Sequence, residues 1–188
     1  MQIGLRLSCT LLLAVAAPLA QETYDLVIAG GFVVNGTGTP GYRADVAVAG
    51  ERIVAVGLVD RSRARRVIDA GGLWVTPGFI DPHSHAAGGL ASAELSHARP
   101  LLAQGITTVF VNPDGGGPVD LVAQRGQLLE YGLGVNVAQL VGHGSIRSTV
   151  IGRDDRAPTA DELDRMRALA REAMEQGAFG LSSGLFYA

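Results

Sequence analysis

Between Tyr24 and Trp74 the chain runs in short apolar stretches, "YDLVIAGG", "FVVNG", "ADVAVAG", "ERIVAVG" and "RVIDAGG", separated by glycine turns. Several alternate apolar and polar residues, the period of a strand with one buried face. This predicts a small β-domain over residues 21–76. After Pro77 the rhythm changes. "GFIDPH", "GITTVFVN", "GVNVAQLVG" and "GAFGLSSG" are apolar strand candidates that open on glycine. Between them lie segments of helical character, "ASAELSHARPLLAQ", "PVDLVAQRGQLLEYG" and "TADELDRMRALAREAMEQG". In the last of these Thr159 can cap the start, Glu162 stands three residues on as its capping-box partner, and Gly177 closes the helix. Leu163, Met166, Leu169, Ala170 and Met174 form its expected apolar stripe. Strands alternating with helices predict an α/β architecture with a parallel sheet of four strands over residues 77–188.

The first 20 residues have a different pattern. Arg6 precedes an apolar core from Leu11 to Ala17, and small residues near Ala17 and Ala20 offer a cleavage site. That is the layout of a secretory signal peptide, so export to the periplasm or beyond is expected. An uncleaved membrane anchor is the alternative, although the run is short for a stable membrane span. Cys9 is the only cysteine and lies ahead of the apolar core, so no disulfide framework is expected in the mature chain. With 47 % hydrophobic and 18 % charged residues the chain is of globular type. A net charge of −3 gives no broad basic footprint, which argues against a nucleic-acid partner. The basic run from Arg61 to Arg66 reads as a solvated turn.

The chemistry concentrates at Pro77-Gly78-Phe79-Ile80-Asp81-Pro82-His83-Ser84-His85. In extended backbone, residues i and i+2 point the same way. His83 and His85 can therefore present two imidazoles to one point, as a divalent metal requires; a pair of solvated loop histidines is the alternative. Asp81 could orient an imidazole or cap the turn. "TPGFIDPHSH" resembles the first barrel strand of the metal-dependent amidohydrolases, and "YDLVIAGGFVVNGTGTPGYRADVAVAGERIVAVG" resembles their opening β-domain. "LLAQGITTVFVNPDGGG", "NVAQLVGHGSIR" and "GAFGLSSGLFYA" narrow the resemblance to the D-aminoacylase (N-acyl-D-amino-acid deacylase) group.

The resemblance implies a fold: the first half of a TIM-like (β/α)8 barrel after half of a β-sandwich. A closed barrel has eight strands and about 250 residues. The sequence thus reads as a truncated piece of a longer enzyme, with an unpaired strand edge at residues 178–184. It also implies a zinc-dependent hydrolase of linear amides with one or two Zn2+ ions, removing the acyl group from an N-acyl-D-amino acid. Hydrolysis of a cyclic amide or a dipeptide on the same scaffold is a second reading. A third is that the fragment alone is inactive, because the general-base aspartate and two further histidine ligands of the family come from later strands.

Working residues of such barrels sit at the C-terminal ends of strands. The first strand offers His83 and His85. The second ends in Asn112-Pro113-Asp114-Gly115-Gly116-Gly117; where the group commonly has a cysteine, Asp114 stands here, as a metal ligand or as a turn former. His143, after the third strand, could approach a ligand or hydrogen-bond within the barrel. Arg147 offers a planar fork for a substrate carboxylate, or a surface ion pair. Tyr187, after the fourth, is a substrate-side candidate or a rim residue. Ser182 and Ser183 lack the G-x-S-x-G setting of a nucleophile, and His97 reads as a surface residue. The metal candidates are thus His83, His85 and Asp114; the substrate candidates are His143, Arg147 and Tyr187. The expected partner is a small-molecule amide.

Overall fold

The computed structural model describes residues 23–184 and Phe186. The signal-peptide reading and Tyr187 lie outside the described residues. The chain divides into two compact units, one ending at Pro77 and one beginning at Gly78.

The first unit is a five-stranded sheet of β1 (Leu26–Val33), β2 (Tyr42–Ala49), β3 (Arg52–Gly57), β4 (Val67–Asp69) and β5 (Trp74–Val75). β1 pairs antiparallel with β2, and β2 with β3, while β4 and β5 both run parallel to β1. β1 alternates as its sequence predicts, with Val27, Ala29 and Val33 buried. Its register shifts between Ile28 and Gly31, where Gly30 takes a φ of 71° and its N–H donates to the buried carboxylate of Asp45 (2.7 Å). Glycine supplies that positive φ without the steric cost of a side chain.

The arginine run is not simply solvated. Nε and Nη2 of Arg61 form a two-pronged pair with Asp45 (2.8 and 2.7 Å), and Arg63 lies 5.1 Å over the ring of Tyr24. The Arg61 hydrogen bond holds the Asp45 carboxyl below its ordinary range, against the opposing effect of its burial. Spacing could not reveal this, because the partner is 16 residues earlier in sequence.

The second unit is a parallel sheet in the order β6 (Phe79–Asp81), β7 (Ile106–Val111), β8 (Asn136–Gly142) and β9 (Gly180–Ser182). Its connections hold helices α1 (Ala87–Leu90), α2 (Arg99–Leu102), α3 (Leu121–Leu129), α4 (His143–Ile151) and α5 (Ala160–Glu175). Four parallel strands joined through helices are half of a (β/α)8 barrel in strand count.

Two apolar clusters hold the helices to the sheet. One joins Leu121, Val141, Ile146, Ile151, Met166, Ala173 and Ala178; the other joins Leu90, Ala98, Val109, Val111, Leu128 and Val135. The capping box of α5 forms as predicted, with Thr159 Oγ1 accepting from the N–H of Glu162 (3.3 Å) and Glu162 accepting from the N–H of Thr159 (2.8 Å). Arg156 grips the same carboxylate through two 2.7 Å bonds and, with Thr159, brings its pKa down to about 2.

Three helical expectations change. The stripe of α5 runs through Ala173, which is buried, and not Met174, which is 48 % exposed. A 3.6-residue period carries Met166 to the position seven residues on, not eight. The predicted helix over residues 91–104 is broken, because Ala98 sits at φ 49° and only Arg99–Leu102 continue as helix. α4 forms where the sequence offered only the end of the third strand, and the glycines on both sides of His143 concealed it.

β6 and β9 each pair on one side only in the described sheet, and Phe79, Ile80, Phe179 and Leu181 are 52–70 % exposed. Unpaired strand edges beside exposed apolar side chains favour self-association. A preparation of residues 21–188 should therefore elute as an aggregate and melt without a cooperative transition. A monomeric elution with a sharp melt would refute this expectation.

Candidate metal centre

β6 is short, and the segment after it is held by its own turn. Asp81 Oδ1 accepts from the N–H of His83 (3.1 Å), so Asp81 is the turn former of the two alternatives. The N–H of Ser84 then bonds to the carbonyl of Phe110 at 2.9 Å, which extends the pairing with β7 beyond the strand itself. Ser84 is buried, while His83 and His85 are exposed. This is the alternation expected of extended backbone, and the two rings lie 5.4 Å apart at 54°.

β7 ends at Val111 in a loop that turns sharply. Asn112 and Asp114 adopt φ values of 65° and 59°, followed by Gly115 at 75° and Gly117 at 94°. Asn, Asp and Gly are the residues that tolerate this region. The turn delivers Asp114 Oδ2 to within 3.3 Å of His83 Nε2 and 3.2 Å of His85 Nε2. One donor atom from each of the three side chains lies within 4.8 Å of the others. Two imidazole nitrogens and one carboxylate oxygen around a single point suit zinc, and the residues present fit such an ion. Asp114 is thus a turn residue by its φ of 59°, and its carboxylate stands where it could also serve as a donor. His85 and Asp114 line a cleft of about 620 Å3, together with Ser84, Asn112, Gly115, Ser145 and Gly184.

The loop beneath Asp114 rests partly on Gln124 and Gln139, which sequence reading did not single out. The amide of Asn112 is buried, donating to Gln124 Oε1 and to the Leu140 carbonyl (both 2.9 Å) and accepting from Gln124 Nε2 (2.8 Å). Gln139 Nε2 completes the network on Gln124 (2.8 Å) and on the Leu121 carbonyl (3.1 Å). Ser145 N–H donates to the Gly115 carbonyl (3.0 Å), and Ser182 Oγ bonds to both Asn112 and Gly115. The available signal was a glutamine inside the apolar run "NVAQLVG" and another on the buried face of α3. Buried amides of that kind need partners.

The substrate candidates are placed differently. His143 is the first residue of α4 and exposed, between the buried Gly142 and the cleft-lining Gly144. Arg147 Nη2 donates to the carbonyls of Asp154 (2.5 Å) and Arg156 (3.0 Å), fastening the loop between α4 and α5. The structure therefore does not bring Arg147 to the site. The helix turns its fork towards main-chain carbonyls, a use that residue type alone does not disclose. His97 is exposed in the turn before α2, as expected.

Residues 66–188 match the amidohydrolase family. The chain is 36 % identical to the D-aminoacylase of Alcaligenes xylosoxydans xylosoxydans, over 89 % of this chain and 39 % of that protein. Among solved structures it is similar to a D-aminoacylase with a binuclear metal centre (TM-score 0.77, 37 % identity, 88 % of this chain and 39 % of that one). It is also similar to the N-acyl-D-glutamate deacylase of Bordetella bronchiseptica complexed with zinc and a phosphonate inhibitor (TM-score 0.75, 36 % identity, 88 % and 39 %). The chain thus spans about two fifths of the length of these relatives. With the matched segment covering both the histidine pair and the Asp114 loop, this chain belongs to the amidohydrolase family.

Proposed function

We propose that the protein is a zinc-dependent hydrolase that removes the acyl group from N-acyl-D-amino acids. The observation that carries this reading is the convergence of His83, His85 and Asp114 on one point at the C-terminal end of a parallel sheet. The chain in which it occurs is 36–39 % identical to a D-aminoacylase and to N-acyl-D-glutamate and N-acyl-D-aspartate deacylases.

Zinc held by these residues supplies Lewis-acid polarisation of an amide carbonyl and acidification of a water molecule. The chain's own part is to fix that point in space. The turn at Asp81 sets the direction of both imidazoles, and the strained loop sets the carboxylate between them. The neighbouring wall is made of Gly115, Gly116, Gly117, Gly144 and Gly184 with Ser145 and Ser148, so it offers space and neutral polar groups to a substrate. Among the described residues lining the cleft, Asp114 is the only carboxylate. This reading leaves proton transfer to a group outside the described lining, which the family resemblance implies to be an aspartate.

The test is hydrolysis of N-acetyl-D- and N-acetyl-L-amino acids by the zinc-loaded full-length protein. Release of free D-amino acid with little release of the L-enantiomer is expected. Turnover of a cyclic amide with none of the linear D-substrates would overturn the reading. We also propose that the protein is exported, on the strength of the leader pattern over residues 1–20. N-terminal sequencing should find a start near residue 21, and intact Met1 in the cytosol would count against it.

A further inference from the structure

Three of the four residues from Asn112 to Gly115 have positive φ: Asn112 at 65°, Asp114 at 59° and Gly115 at 75°. For non-glycine residues this conformation is sterically disfavoured, so the turn that presents Asp114 persists only where its surroundings hold it. Ser182, at the end of β9, is one of those surroundings. Its side chain is buried, and its hydroxyl bonds on both sides of Asp114. It donates to the carbonyl of Asn112 (2.7 Å) and accepts from the N–H of Gly115 (3.0 Å), using its donor and one acceptor position together. One hydroxyl thus fixes the spacing of the two peptide groups that flank the metal-facing carboxylate. Ser182 touches neither His83 nor His85.

We propose that Ser182 is a positioning residue for the metal-binding carboxylate of Asp114, an inference that rests on the zinc reading of the site. It acts through the loop and not as a ligand or a nucleophile. Groups that orient metal ligands typically contribute 10–100-fold to metal affinity. Ser182→Ala should cost an amount in that range, while Ser182→Thr, which keeps the hydroxyl, should stay within a few-fold of the parent.

The experiment is Co2+ titration of the metal-free full-length protein and both variants, followed through the visible d–d absorption. A weaker Kd and altered band intensity in Ser182→Ala, with recovery of both in Ser182→Thr, are expected. Amide hydrogen exchange of Gly115 in the metal-free parent provides a measurement that needs no variant, and that N–H should be protected. Absence of d–d bands in the parent would sink the metal reading and this inference together. Bands in the parent with the same affinity and spectrum in Ser182→Ala would overturn the inference and leave the metal site standing. A threonine variant that behaves like alanine, or an unprotected Gly115 amide, would overturn it equally.

Discussion

Replacing His83 or His85 by alanine should strip the full-length protein of most of its bound zinc and reduce turnover to below about one per cent. Each histidine supplies one of only three donor atoms that meet at this point among the described residues. Loss of a group that merely supports a ligand costs 10–100-fold in metal affinity, and loss of a ligand itself should exceed the upper figure. Neither side chain is in the buried core, with 59 % and 71 % of their surfaces exposed, so truncation should leave the fold intact. Elemental analysis beside a deacylase assay reads both effects. Full metal content in either variant would show that the histidines are not a ligand pair. Asp114→Ala is the sharper comparison. Unchanged metal stoichiometry there would reduce Asp114 to a turn former.

The second large effect is expected from a residue with no side chain at all. Gly142 ends β8 with ordinary backbone angles, φ −82° and ψ 125°, so alanine is allowed there by conformation. Space forbids it. A β-carbon at this position would press into the main-chain oxygens of Gly115 and Gly116, well inside contact distance. Overpacking costs about 1–3 kcal/mol where side chains can move aside, and backbone carbonyls of a pinned loop have less freedom. Gly142→Ala should therefore destabilise the protein by about 3 kcal/mol and weaken metal binding as Asp114 shifts. Gly126 is the control. It lies exposed within α3 with nothing within 4 Å of where a β-carbon would stand, and alanine there should stabilise by roughly 0.5–1 kcal/mol. Denaturant unfolding of the two variants should give opposite signs, and a neutral Gly142→Ala would show that the loop yields freely.

The features legible in the sequence were those encoded by near neighbours. The period of two in "FIDPHSH" put His83 and His85 on one side and Ser84 on the other, and the structure places them so. The Thr159 and Glu162 pair fixed the start of α5 from a spacing of three. The rest depended on partners remote in sequence. Arg61 reads as a solvated residue because Asp45 lies a hairpin away, and Arg147 as a substrate fork because the carbonyls it holds belong to an irregular loop. α4 is hidden because Gly142 and Gly144 look like loop residues; their small size serves close packing against the Asp114 loop. Ser182 is passed over in sequence because it lacks a nucleophile's setting, and nothing local shows that its hydroxyl bonds to the turn after β7.

The long reach of the Ser182 bonds sets an order of events in time. They close loops of 67 and 70 residues, and the entropy of closing a loop is spent before the contact returns anything. As the chain emerges with its N-terminus first, His83, His85 and Asp114 are all available well before β9 exists to dock beside β8. During that interval a metal ion would meet two imidazoles and a carboxylate on an unsupported turn. Firm capture of zinc should then be a late step in the maturation of this unit, and a nascent chain halted within α4 should exchange its metal far faster than the finished protein.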